Sequence, residues 1–97
     1  MKINFNVNLK DMKGVESDQN LGELLAMLLS QSSEGNANKL IPWGFKLMGG
    51  QELDLDVADQ KLLTEFIGNV KDLTNLGKYR LTEVIETTQA IHSKKAK

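Results

Sequence analysis

The chain has 97 residues, 40% of them hydrophobic and 26% charged, with a formal net charge of −1. A domain of this size buries about 65% of the surface its unfolded form exposes, enough for one core without a metal or disulfide staple. The absence of cysteine excludes disulfides, thiol nucleophiles and thiolate metal sites, and the near-neutral charge offers no basic face of the kind that supplies nucleic-acid binders with affinity.

Ile3, Phe5, Val7 and Leu9 alternate with Lys2, Asn4, Asn6, Asn8 and Lys10. Period two predicts a strand with one buried and one wet face, ending near Lys10. Asp11-Met12-Lys13-Gly14 has turn chemistry, because Asp bonds its own backbone two residues on and Gly supplies positive φ. Val15 and Glu16 are expected to return against the strand as a short hairpin arm. The first helix is predicted to start at Asn20, an N-cap, with Glu23 where a capping box wants it. Leu21, Leu24, Leu25, Leu28 and Leu29 form its stripe, widened by Ala26 and Met27. Ser32, Ser33 and Gly35 are expected to end it.

A second helix is predicted over Asn38 to Met48. Because Pro42 lacks an N–H, its regular part is expected to begin at Ile41, with 38–40 a looser lead-in. Gly49-Gly50 stops it. Gln51 to Leu55 alternates again, as an edge strand or an extended linker. Asp56 then caps a third helix, with Asp59 complementing its N-terminus and Val57, Leu62, Leu63, Phe66, Ile67 and Val70 as its buried stripe. The last helix runs from Leu73 or Thr74 towards Ile91. Its face is Leu73, Leu76, Gly77, Leu81, Val84, Ile85 and Thr88, with Gly77 permitting close approach. The order is β-β-α-α-β-α-α: an α+β fold, mostly helical, with a small antiparallel sheet packed against four helices in a single domain, 1–97, that ends in a flexible basic tail at about 92–97. Phe5, Leu25, Leu28, Phe66, Leu81 and Val84 are the expected core.

No catalytic, cofactor or metal constellation emerges. His92, the only histidine, stands near the chain end with no orienting carboxylate. Glu52, Asp54, Asp56 and Asp59 come nearest to a calcium loop, but Ala58 fails at the fifth position and Asp59 stands where glycine is required. Gly14 and Gly49-Gly50 lack the strand, helix and Lys-Ser/Thr of a phosphate loop. Lys39, Lys46, Lys61, Lys71, Lys78 and Arg80 are scattered among acids and read as solvation. A helix-turn-helix reading of the last two helices founders on the long joint Gly68 to Thr74. The second helix, apolar nearly all round, is the expected partner-binding element, with Trp43 and Met48 as anchors for another protein or for a second copy of the chain. The alternative is a nucleic-acid-associated regulator using Lys94, Lys95 and Lys97. With no basic region followed by an apolar stretch, and an apolar run of only Leu24 to Leu29 against the ~20 residues a bilayer needs, neither a signal peptide nor a membrane span is expected, and the cytoplasm is the default location.

Several stretches carry a family likeness: Leu9-Lys10-Asp11-Met12-Lys13-Gly14; Asn20-Leu21-Gly22-Glu23-Leu24-Leu25-Ala26; Trp43 through Lys46-Leu47; and Gly50 through Asp56 with Ala58-Asp59. Phe66-Ile67 and Leu73 through Lys78 extend it. Over about Leu9 to Glu86 the chain resembles a group of small accessory proteins encoded in phage and prophage genomes of bacteria. The matching motifs are turns, caps and stripes, so no functional residue transfers. The resemblance implies an accessory protein of a mobile element, acting in virion assembly or host takeover by binding protein rather than by catalysis.

Overall fold

Asn20 and Asp56 set the two helix starts that position everything else. The computed structural model describes residues 1–32 and 37–95, with side chains through residue 91. Asn20 Oδ1 accepts the Glu23 N–H at 3.0 Å and opens α1 (Leu21–Gln31). Asp56 Oδ1 accepts the Asp59 N–H at 2.7 Å and opens α3 (Val57–Asn69). Each cap satisfies a backbone donor that the helix itself cannot. Asp56→Ala is therefore expected to lower stability by about 0.5–2 kcal/mol; a melt indistinguishable from the wild type would remove the cap.

The remaining elements are β1 (Lys2–Ile3), β2 (Asn8–Lys10), β3 (Glu16–Asn20), α2 (Ala37–Met48), β4 (Leu53–Asp54) and α4 (Asn75–Lys95). The fold is α+β, mostly helical. Its strands form two separate antiparallel pairs among the described residues, β1 with β4 and β2 with β3. The single N-terminal strand read from the alternation is thus cut in two. Asn4 Oδ1 takes the Asn6 N–H at 2.8 Å and Phe5 O takes the Val7 N–H at 2.7 Å, two local turns that divert the chain. Ile3 and Phe5 stay fully buried, while Val7 swings out to solvent and Leu9 is half-buried. The diverted segment docks on α1: Leu21 N donates to Val7 O at 2.8 Å and Gly22 N to Phe5 O at 3.0 Å. Glycine suits that close docking, since a Cβ at position 22 would lie a tight 3.3 Å from both Phe5 O and Leu47 O.

The hairpin arm is longer than Val15-Glu16 and runs without a loop into the α1 cap. In the second alternating segment only Leu53 and Asp54 pair as a strand, in register with Ile3 and Lys2. Leu53 and Leu55 are fully buried between exposed acids. Helix α2 continues regularly through Pro42, correcting the expected start at Ile41. Pro42 is exposed, so water reaches the backbone where the ring interrupts the ladder. At its end, Gly50 (φ +71°) donates to Leu47 O at 3.1 Å and Gln51 N to Lys46 O at 2.9 Å, the two bonds of a Schellman stop.

The core gathers Phe5, Leu25, Leu28 and Leu81 as expected, with Ile3, Leu53, Leu55, Leu63, Ile67 and Ile85. Phe66 and Val84, expected inside, are only half-buried against it. Val57 is 82% exposed. It is the first residue of α3, and the cap geometry at Asp56 turns it outward. Thr74 Oγ1 accepts the Gly77 N–H at 3.1 Å ahead of α4, and the Leu73 side chain folds over Gly77, leaving no room for a Cβ. Helix α4 continues past Ile91 to Lys95. Ser33 and Gly35, read as ending α1, lie outside the described residues, and of the tail at 92–97 only the backbone through Lys95 is described. Among the described residues, no helix is long and apolar enough to cross a membrane.

Candidate interaction surface

Helix α2 is apolar on two opposite sides, and packing uses one of them. Leu40, Trp43 and Leu47, spaced three and four apart, face inward and are buried. Gly44 stands beside α1, where a Cβ would meet Ala26 O at an ordinary 3.9 Å contact. Phe45 lies on the opposite side and is 73% exposed. Met48 (55% exposed) and Pro42, each three residues from Phe45, extend that face along the axis.

The two predicted anchors are therefore separated. Trp43, only 9% exposed, is a core residue, and Met48 remains on the surface. This corrects the reading of Trp43 as a surface anchor; the exposed aromatic is Phe45. Periodicity could not choose between them, because Trp43 and Phe45 stand in a segment that offers apolar residues to every side. Gly44 offered no signal either, since Trp43 and Phe45 flank it at equal angles around the helix.

The remaining candidates are dispersed. Asp54 lies 3.3 Å from the Met1 amine, Asp56 caps α3, and Asp59 pairs with Lys39 across α2 and α3. The Asp59 carboxylate, bonded to the Lys39 ammonium, holds that lysine above its usual range. Among the described residues no three acidic or histidine side chains gather in a metal-binding group. The side chains of His92, Lys94 and Lys95, and all of Lys97, lie outside the described residues. Besides Lys39, two more of the scattered cations are not mere solvation. Lys78 Nζ donates to Gly68 O at 3.1 Å near the end of α3. Arg80 Nε donates to Lys10 O at 3.0 Å and Nη2 to Asp11 O at 2.6 Å, while Nη1 meets Glu83 Oε1 at 3.2 Å. No local pattern could reveal contacts spanning 70 residues.

Two open clefts accompany these features. One, of about 430 Å³, has Leu28, Leu40, Leu62 and Phe66 as its apolar wall, with Glu65 and Lys71 at its edge. The other, of about 330 Å³, lies between the β2–β3 hairpin and α4, walled by Val7, Leu21 and Val84 with Arg80 and Glu83 alongside. Compared with known protein families, curated proteins and solved structures, the chain matches none.

Proposed function

We propose that this is a non-enzymatic accessory protein of phage or prophage origin that works in the bacterial cytoplasm by binding another protein, in virion assembly or host takeover. The observation that carries the binding reading is the outward face of α2, where Phe45 and Met48 stand exposed on a helix whose opposite side already fills its place in the core. Large apolar side chains on a rigid helix make good anchors, because they bury much area with little rotamer loss, and aromatics and methionine are enriched at interfaces. Trp43 supports the surface from below rather than forming part of it. The phage or prophage assignment rests on the sequence resemblance alone.

The test compares wild-type and Phe45→Glu proteins as baits in a bacterial lysate and in sedimentation over a range of concentrations. Phe45→Glu is expected to leave thermal stability within about 0.5 kcal/mol, since the side chain is exposed. It should also abolish a partner, or a self-association, that the wild type retains. Equal behaviour of the two baits would sink the α2 surface. Salt-sensitive DNA or RNA binding that vanishes on deleting Lys94 to Lys97 would replace it with the nucleic-acid reading.

A further inference from the structure

We infer that the β2–β3 hairpin is a latched arm, which opens as a unit from an intact core when Arg80 releases two backbone carbonyls. Every residue from Lys10 to Gln19 is exposed, including the apolar Met12 and Val15, so the arm buries almost nothing of its own. A two-stranded hairpin without a buried face is marginal in water. Its internal bonds are local. Asp11 Oδ1 accepts the N–H groups of Lys13 and Val15 at 2.8 and 2.9 Å, Asp11 N donates to Val15 O at 3.0 Å, and Ser17 Oγ donates to Leu9 O at 2.9 Å. They shape the turn but do not attach it to anything.

Attachment comes from α4. Among the described residues, two hydrogen bonds join Lys10–Gln19 to the helices, and both come from the Arg80 guanidinium. Its side chain is 15% exposed, with the third arm of the fork held by Glu83 and the Tyr79 ring centroid 5.5 Å away. A planar fork with fixed donors meets two successive carbonyls in a way that a lysine ammonium cannot reproduce. The arm's base is tethered separately by the Leu21–Val7 and Gly22–Phe5 bonds. Those bonds belong to the core and would stay closed while the arm swings. Opening widens the cleft beside α4 and uncovers Leu21 and Val84 on its wall. Segments with few buried contacts and exposed backbone bonds are where sub-global opening occurs.

Native-state hydrogen exchange on the full chain tests this. In the wild type, the amides of Asp11, Gly14 and Val15 should exchange through an opening that is insensitive to low denaturant, well before Leu25, Leu63 and Leu81. In Arg80→Met, which keeps the stem, arm amides should exchange faster by about tenfold or more, corresponding to about 1.4 kcal/mol, with the core rates unchanged. Arg80→Lys should resemble Arg80→Met, because the fork rather than the charge is what matters. Arm exchange in the wild type that follows global unfolding would overturn the proposal, even if the variants fail to fold. So would an Arg80→Met arm that exchanges at the wild-type rate, or an Arg80→Lys arm as protected as the wild type.

Discussion

Phe5→Ala is expected to lower stability by about 3–5 kcal/mol, out of a total that for a domain of this kind is about 5–15 kcal/mol. The ring is fully buried, and it sits where the diverted N-terminal segment docks on the first turn of α1. Deleting it opens a cavity, and the surroundings cannot close around that cavity easily. The Phe5 carbonyl is held by Gly22 N at 3.0 Å, and the missing Cβ of Gly22 has already brought Leu47 O close. A rigid site collapses poorly, so the cost should fall in the upper part of the range. Denaturant unfolding followed by helical circular dichroism would read it. A loss below 1 kcal/mol would mean that residues 1–7 are not part of the core. Phe66→Ala serves as the comparison and should cost less, because Phe66 is half-buried on the wall of a cleft.

Trp43→Ala is the second large effect, again about 3–5 kcal/mol. The indole is buried on the side of α2 that faces the core cluster, between Leu40 and Leu47 along the same stripe. Trp43→Phe, which keeps an aromatic, should recover part of the loss. As the only tryptophan, it also provides an optical readout. Its emission should be blue-shifted in the native protein, resist quenching by iodide, and shift to the red on unfolding. If Trp43→Ala leaves stability intact but removes a binding partner, Trp43 returns to the role of surface anchor and the division of α2 into two faces is wrong.

What the sequence made legible was whatever depends on neighbours three or four residues apart. Asn20 with Glu23 and Asp56 with Asp59 are such pairs, and the glycines at 49 and 50 close α2 by bonds to Phe45 O and Leu47 O. The α+β class followed from the switch between periods two and 3.6. Long-range choices were not legible. The alternation over residues 2–10 cannot reveal that Asn4 and Asn6 turn the chain, because asparagine serves equally as a wet strand residue and as a turn former. Pro42 looked like a boundary because its ring is costly inside a helix, yet an exposed position lowers that cost. The candidate surface was half legible: α2 was singled out by excess apolar coverage, but the identity of the outward residues is decided by how α1 packs. Arg80, spaced by 69 and 70 residues from its carbonyls, was invisible to any local pattern.

The pairing of β1 with β4 joins Ile3 to Leu53 and Lys2 to Asp54 across half the chain. By contrast, α1 packs against its sequence neighbour α2, and β2 against β3. Local units can therefore form early, whereas the first strand must wait for a segment synthesised much later. Until then Ile3 and Phe5, both destined for complete burial, remain uncovered. An apolar pair left waiting in this way is adhesive during synthesis, and premature contact there is a misassembly to which this topology is open.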